Sequence, residues 1–281
     1  KYFLENNPDL IIVYGDVNSC VAASLVASKM GIKIAHIESG LRSFDRTMPE
    51  EINRILTDSI SDFLFLTSPD AMVNLKKEGI SEDKCYLVGN TMIDSLVKLN
   101  EKFDESDILE KLDVEKESYA LVTLHRPSNV DDKKDLNDMM KNISMITNSM
   151  DCILPIHPRT ENNLHIFGLY DHYANIDRLN IINPLGYIDF MCLQKNAKLI
   201  ITDSGGIQEE SSYFQTPCLT VRDNTERPVT ISHGTNKLIG ANYENIIPQL
   251  KLIENKISNI DLWDGMSSKR IVKILKEYYN D

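Results

Sequence analysis

The chain has 281 residues, 42% of them hydrophobic, and a formal charge of −12 from 30 Lys plus Arg against 42 Asp plus Glu. That length and apolar content suffice for one large core or two smaller ones. The acidic balance excludes broad nucleic-acid binding and docking on an anionic membrane, which both need basic patches, but leaves room for a local basic pocket around one small anion.

In chain order, the short β-branched runs LIIVYG from Leu10, KIAHIE from Lys33, DFLFLT from Asp62 and KCYLVGN from Lys84 read as buried strands. Amphipathic stretches fall between them: SCVAASLVASKMG, PEEINRILTDSI and DAMVNLKKEG. Such alternation predicts a parallel sheet with helices on both faces. The segment LNEKFDESDILEKLDVEKES is charged and strand-free, so residues 100–118 read as a linker with one helix at most. Five more strands follow, YALVTLH, CILPIH, LNIINP, AKLIITDS and PCLTVRD, and the amphipathic run GMSSKRIVKILKEYY closes the chain. The expected division is therefore a first Rossmann-like domain over 1–99, the linker, a second over 119–262, and a terminal helix over 263–281 that packs back on the first domain. The opening KYFLENNPDLIIVYGD reads as a helix end running straight into a strand, so the first domain is expected to lack its N-terminal strands.

The five cysteines, Cys20, Cys85, Cys152, Cys192 and Cys218, are odd in number and show no C-x-x-C spacing. They read as free thiols in a reducing compartment. With no apolar run long enough to span a bilayer and no signal-peptide pattern, a cytoplasmic location is expected. No cluster with metal-ligand spacing stands out.

In open α/β sheets ligands bind where strands end, and the chemistry-bearing residues gather there. The strand ending at Thr202 runs into Asp203-Ser204-Gly205-Gly206, and a helix begins behind it. Two glycines let backbone N–H groups approach a ligand, and the helix N-terminus favours an anion. The same residues could form an ordinary turn capped by Ser204 or Asp203. Glu209 and Glu210 follow in the first turns, where a carboxylate can reach ribose hydroxyls. Arg227, beyond the next strand, could complete a phosphate clamp or form a surface ion pair.

Asp16, Glu38 and His125 end strands, and Glu50 opens a helix after Pro49. Each has a purely structural alternative. Asp16 could cap a helix, Glu38 could pair with Arg42, His36 and His125 could be satisfied core histidines, and Glu50 with Glu51 could complement a helix start. Taken together they suit a reaction that removes a proton from one face of a carbon and returns one to the other.

Eight motifs in order, GDVNS, AHIESGLRS, MPEEINR, GNTMID, LHRPSNV, IHPRT, TDSGGIQEE and RDNTERP, resemble the non-hydrolysing UDP-N-acetylglucosamine 2-epimerases over essentially the whole chain. The resemblance implies two Rossmann-like domains of the glycosyltransferase-B type and interconversion of UDP-N-acetylglucosamine and UDP-N-acetylmannosamine at C2. It implies elimination of UDP to a 2-acetamidoglucal and re-addition, without metal or nicotinamide, in a homodimer that supplies precursors for cell-surface polysaccharide. By position, Asp16, Glu38, Glu50 and His125 match the family's catalytic group. Arg126, Ser204, Gly205, Gly206, Glu210 and Arg227 match substrate contacts, Leu185 and Phe190 fall where the uracil is held, and His157 and Arg159 are secondary candidates. The alternatives are an epimerase of a modified sugar such as a UDP-2,3-diacetamido uronic acid, a glycosyltransferase of the same fold, and a non-catalytic nucleotide-binding module.

Overall fold

The computed structural model describes residues 1–240, 246–250 and 257–280. The chain divides into two compact units, one of Lys1–Lys98, Glu226–Val229 and Ile260–Asp281, the other of Leu99–Thr225 and Thr230–Asn259.

The first unit carries β1 (Leu10–Tyr14), β2 (Lys33–Ser39), β3 (Phe63–Leu66) and β4 (Cys85–Leu87), all parallel and adjacent in sequence order. Every residue of β3 is buried, as a strand covered on both faces requires. The edge strand β1 leaves Ile12 and Tyr14 exposed. Helix Pro49–Ile60 starts with proline at its first position and Glu50 and Glu51 in its first turn, a proline-acid start that suits the unpaired amides there. The terminal helix Ser267–Asn280 lies on this sheet: Ile271 joins Ala35, Phe63, Phe65 and Val88 in one core cluster. Its start is held by Asp94, whose carboxylate accepts from the Ser267 and Ser268 amides at 3.0 and 2.6 Å.

The second unit carries β5 (Tyr119–Thr123), β6 (Asp151–Pro155), β7 (Leu179–Ile182), β8 (Leu199–Thr202), β9 (Cys218–Thr220) and β10 (Asn236–Leu238) in the parallel order β10-β9-β8-β5-β6-β7. The chain winds outward from β5 to β7, then returns to the other side of β5 with β8. The winding therefore reverses between β5 and β8, the place where a doubly wound sheet opens a ligand crevice. Residues 100–118 contain the end of helix Thr91–Asp104 and the short helix Ile108–Lys111. Phe103 and Ile108 in this stretch are buried, and Ile108, Leu109, Leu112 and Val114 pack on the core beneath β5 and β8. Strand β10 has no sequence counterpart above, since Asn236-Lys237-Leu238 offers only one apolar residue and owes its extended form to pairing with β9. All five cysteines are free, four buried and Cys85 half-buried. Among the described residues no helix is long and apolar enough to cross a membrane.

Candidate functional site

In the second unit, Thr123 and Thr202 stand in register on β5 and β8 and share a hydroxyl hydrogen bond of 2.7 Å, so both strands end at one level. Beyond β8, Ser204 is extended and is the N-cap of helix Gly205–Phe214, but its side chain makes no capping bond. Its amide donates to Thr202 Oγ1 at 3.0 Å. The first-turn amides of a helix have no intrahelical acceptor, and here the residues presenting them are Gly205 and Gly206. Both are helical, so the glycines serve by lacking a side chain, which leaves the helix end open to an anion.

Asp203 organises the turn. Fully buried, its carboxylate accepts from the amides of His125 and Arg126 at 3.0 and 2.9 Å, from Asn129 Nδ2 at 3.0 Å, and pairs with His125 Nδ1 at 2.9 Å. Burial alone would raise its pKa. The hydrogen bond and charge of His125, with the two amides, outweigh burial and hold the carboxyl below the usual range. With Nδ1 engaged, Nε2 is the ring nitrogen left for a further partner. Arg126 is fixed by its own Nε, which donates to the Asp203 carbonyl at 2.9 Å. The His157 ring lies 5.4 Å from that of His125. Burial, with the neighbouring His125, lowers the His157 pKa. Arg159 is committed to an exposed ion pair with Asp131 at 2.5 Å.

On the same helix as the glycines, Glu210 is buried and accepts from Gln194 Nε2 at 2.6 Å. Leu185, in the loop after β7, and Phe190, on helix Tyr187–Asn196, are half-buried against the cluster of Cys192, Leu193 and Ile207.

In the first unit, Gly15 and Asp16 follow β1, and Glu38 stands at a register slip in β2 between Ile37 and Ser39. Glu38 has φ 69°, a left-handed conformation that costs a non-glycine residue about 1 kcal/mol or more. Gly15 abuts it, for a Cβ there would lie 3.4 Å from Glu38 Oε2. Glu38 Oε1 accepts from Arg227 at 2.9 Å, and Arg227 also pairs with Glu226. Asp16 pairs with Arg54, whose guanidinium also lies 3.1 Å from Glu51 Oε2. Burial pushes the Glu38 carboxyl above the ordinary carboxylate range and the charge of Asp16 adds to this, while Arg227, His36 and Arg54 act against it.

The structure thus brings Asp16, Glu38 and Arg227 together with Arg54, and brings His125, Arg126 and the Ser204 turn together around Asp203. Glu50 is exposed on the first turn of its helix and, among the described residues, has no hydrogen bond or ion pair. Arg42 pairs with Asp58 and Glu78 rather than with Glu38. Sequence reasoning missed Arg54 and treated Asp203 only as a possible cap. Both lie inside quoted motifs, so the signal was present but a role for them was not. Among the described residues no group of three His, Cys, Asp or Glu side chains could hold a metal ion.

A family model described as UDP-N-acetylglucosamine 2-epimerase matches residues 1–276. A UDP-N-acetylglucosamine 2-epimerase of Methanocaldococcus jannaschii is 45% identical over 285 residues, covering 98% of this chain and 77% of that protein. A UDP-2,3-diacetamido-2,3-dideoxy-D-glucuronate 2-epimerase of Pseudomonas aeruginosa is 38% identical over 278 residues, covering 97% and 76%. The crystal structure of the M. jannaschii UDP-GlcNAc 2-epimerase in complex with UDP-GlcNAc and UDP superposes with a TM-score of 0.87 at 42% identity, covering 98% of this chain and 78% of that one.

Proposed function

The chain belongs to the UDP-N-acetylglucosamine 2-epimerase family, and from that premise we infer that it interconverts UDP-N-acetylglucosamine and UDP-N-acetylmannosamine. The observation that carries the chemistry is the Asp16–Glu38 pair. A carboxyl held above its usual range by burial and a like-charged neighbour is suited to take and return a proton, as an acid–base step at carbon requires.

In the proposed cycle a carboxylate of the first unit takes the proton from C2 and the C1–oxygen bond to UDP breaks, leaving a 2-acetamidoglucal. UDP then re-adds at C1 while a proton is delivered to the other face of C2, so atoms and charge balance. Asp16, Glu38, Glu50 and His125 share the proton transfers. Ser204, Gly205, Gly206, Arg126 and Arg227 hold the diphosphate, Glu210 the ribose, and Leu185 through its backbone and Phe190 the uracil. A leaving group that must return has to stay clamped, which is the use of a phosphate turn built on rigid strand ends.

The test is incubation with UDP-N-acetylglucosamine in D2O. Deuterium at C2 of both sugars is expected, and protein that binds UDP without exchange would sink the reading. The P. aeruginosa relative favours a second reading, an epimerase of a diacetamido uronic acid. A panel of the two UDP-sugars separates them by kcat/KM. We further propose a cytoplasmic homodimer feeding polysaccharide synthesis, the dimer being checked by light scattering.

A further inference from the structure

Within the first unit lies a buried polar network to which the proton transfers assign no part. The His36 ring, in β2, is fully enclosed. Its Nε2 is 3.0 Å from the Gly15 carbonyl oxygen and its Nδ1 is 2.6 Å from Asp58 Oδ1. A carbonyl oxygen only accepts, so Nε2 carries a hydrogen. Asp58 Oδ2 accepts from the Gly40 amide at 3.1 Å and lies 2.7 Å from Arg42 NH1. The 2.6 Å contact between Nδ1 and Oδ1 needs a hydrogen, and with Asp58 Oδ2 facing the Arg42 guanidinium and the Gly40 amide the ring is the donor. A ring that donates from both nitrogens is an imidazolium.

The partners of this pair flank the two carboxylates of the mechanism. Gly15 immediately precedes Asp16, and Gly40 follows Glu38 by two residues. Glu38 is held at φ 69° and Gly40 at φ 78°, where a Cβ would come within 2.9 Å of Ala71. A non-glycine residue such as Glu38 persists in that region only where its surroundings hold it, and His36 and Asp58 bond the neighbouring backbone at Gly15 and Gly40. We propose that His36 and Asp58 form a buried charged pair that positions Asp16 and Glu38 for proton transfer, with His36 a standing imidazolium. The roles given to Asp16 and Glu38 rest on the epimerase reading. Burial acts against the charge on His36, but the hydrogen bond and charge of Asp58 outweigh it, and the His36 pKa is raised.

The charged groups acting on Glu38 are Arg227 from the 226–229 segment, Asp16 after β1, His36 on its own strand and Arg54 from helix Pro49–Ile60. His36 itself faces Asp58 and Glu38. Loss of the imidazolium takes a positive charge away from Glu38 and therefore raises its pKa.

Two measurements test this on the whole chain. With 15N-labelled histidine, the His36 resonances, assigned by their loss in His36→Gln, should show both ring nitrogens protonated at a pH well above the ordinary histidine value of about 6.5. A singly protonated ring at neutral pH overturns the charged pair. In turnover of UDP-N-acetylglucosamine, His36→Gln and Asp58→Asn should lose about tenfold to a hundredfold in kcat with KM changed less than about threefold. The acidic limb of kcat/KM should also move to higher pH in both. A folded His36→Gln protein with wild-type kcat and pH profile overturns the positioning role. Should the variants fail to fold, the His36 resonances are assigned instead as those kept when each of the other five histidines is replaced by glutamine, and they still decide the charged pair. Wild-type protein that shows the imidazolium but no exchange at C2 would sink the epimerase reading, and the catalytic half of this proposal with it.

Discussion

Glu50 and Glu51 share a motif and a helical turn but sit in opposite environments. Glu51 is buried and accepts from the Ser43 amide at 2.9 Å, the Ser43 hydroxyl at 3.1 Å and the Phe44 amide at 2.9 Å, and it pairs with Arg54. Replacing it by glutamine would leave a buried guanidinium half paired and turn an NH2 group toward N–H donors. Removing one partner of a buried pair costs about 3–5 kcal/mol, so Glu51→Gln should lower the melting temperature by several degrees or prevent folding. Glu50 is exposed and bonded to nothing in the described chain, so Glu50→Gln should change stability by less than about 0.5 kcal/mol. If it serves in proton transfer, kcat for C2 exchange should fall about a hundredfold or more. Thermal melts and exchange rates of the two variants decide the matter, and a fully active Glu50→Gln protein would remove Glu50 from the mechanism.

The terminal helix Ser267–Asn280 is held by a narrow apolar stripe, with Ile271 its most deeply buried hydrophobic residue at 4% exposure. Ile271→Ala removes that anchor and should cost about 2–5 kcal/mol, read from urea unfolding. A cost under about 1 kcal/mol would mean that the Asp94 cap and the Arg270 bond to the Val88 carbonyl at 3.0 Å hold the helix instead.

This helix was legible in the sequence because an amphipathic repeat survives in any context, and so were β3 and β8, whose continuous apolar runs permit little else. Strand β10 was not, since three residues with one leucine carry no period and its partner β9 decides its form. At the site the difference is similar. Motif glycines and carboxylates announce themselves, and Asp16, Glu38, His125 and the Ser204 turn could be named from their places at strand ends. What a neighbour does to them is invisible along the chain. Arg54 reaches Asp16 from 38 residues away, and Asp203 binds His125 from 78. The strained φ of Glu38 likewise has no sequence mark, because a positive φ is ordinarily marked by glycine.

At the scale of the whole molecule, the two units depend on pH with opposite signs at their sites. Asp203 in the second unit has a folded pKa below its unfolded value. Its contribution is therefore complete above about pH 4, the unfolded value, and is lost as pH falls through the folded one. His36 in the first unit has a folded pKa above its unfolded value. Its contribution is complete below about pH 6.5 and is lost as pH rises through the folded value. Asp203→Asn and His36→Gln should therefore separate when wild-type and variant stabilities are compared across pH by chemical unfolding. The deficit of Asp203→Asn should be flat at neutral pH and shrink in acid, as the wild-type carboxyl also becomes neutral. The deficit of His36→Gln should be flat in mild acid and shrink in alkali, as the wild-type ring loses its extra proton. Hydrogen exchange resolved along the chain should place the acid-sensitive change in residues 119–221 and the alkali-sensitive one in residues 10–66. A His36→Gln deficit that stays constant into the alkaline range would mean that the buried ring is held for its shape alone, with its charge contributing nothing to the stability of the first unit.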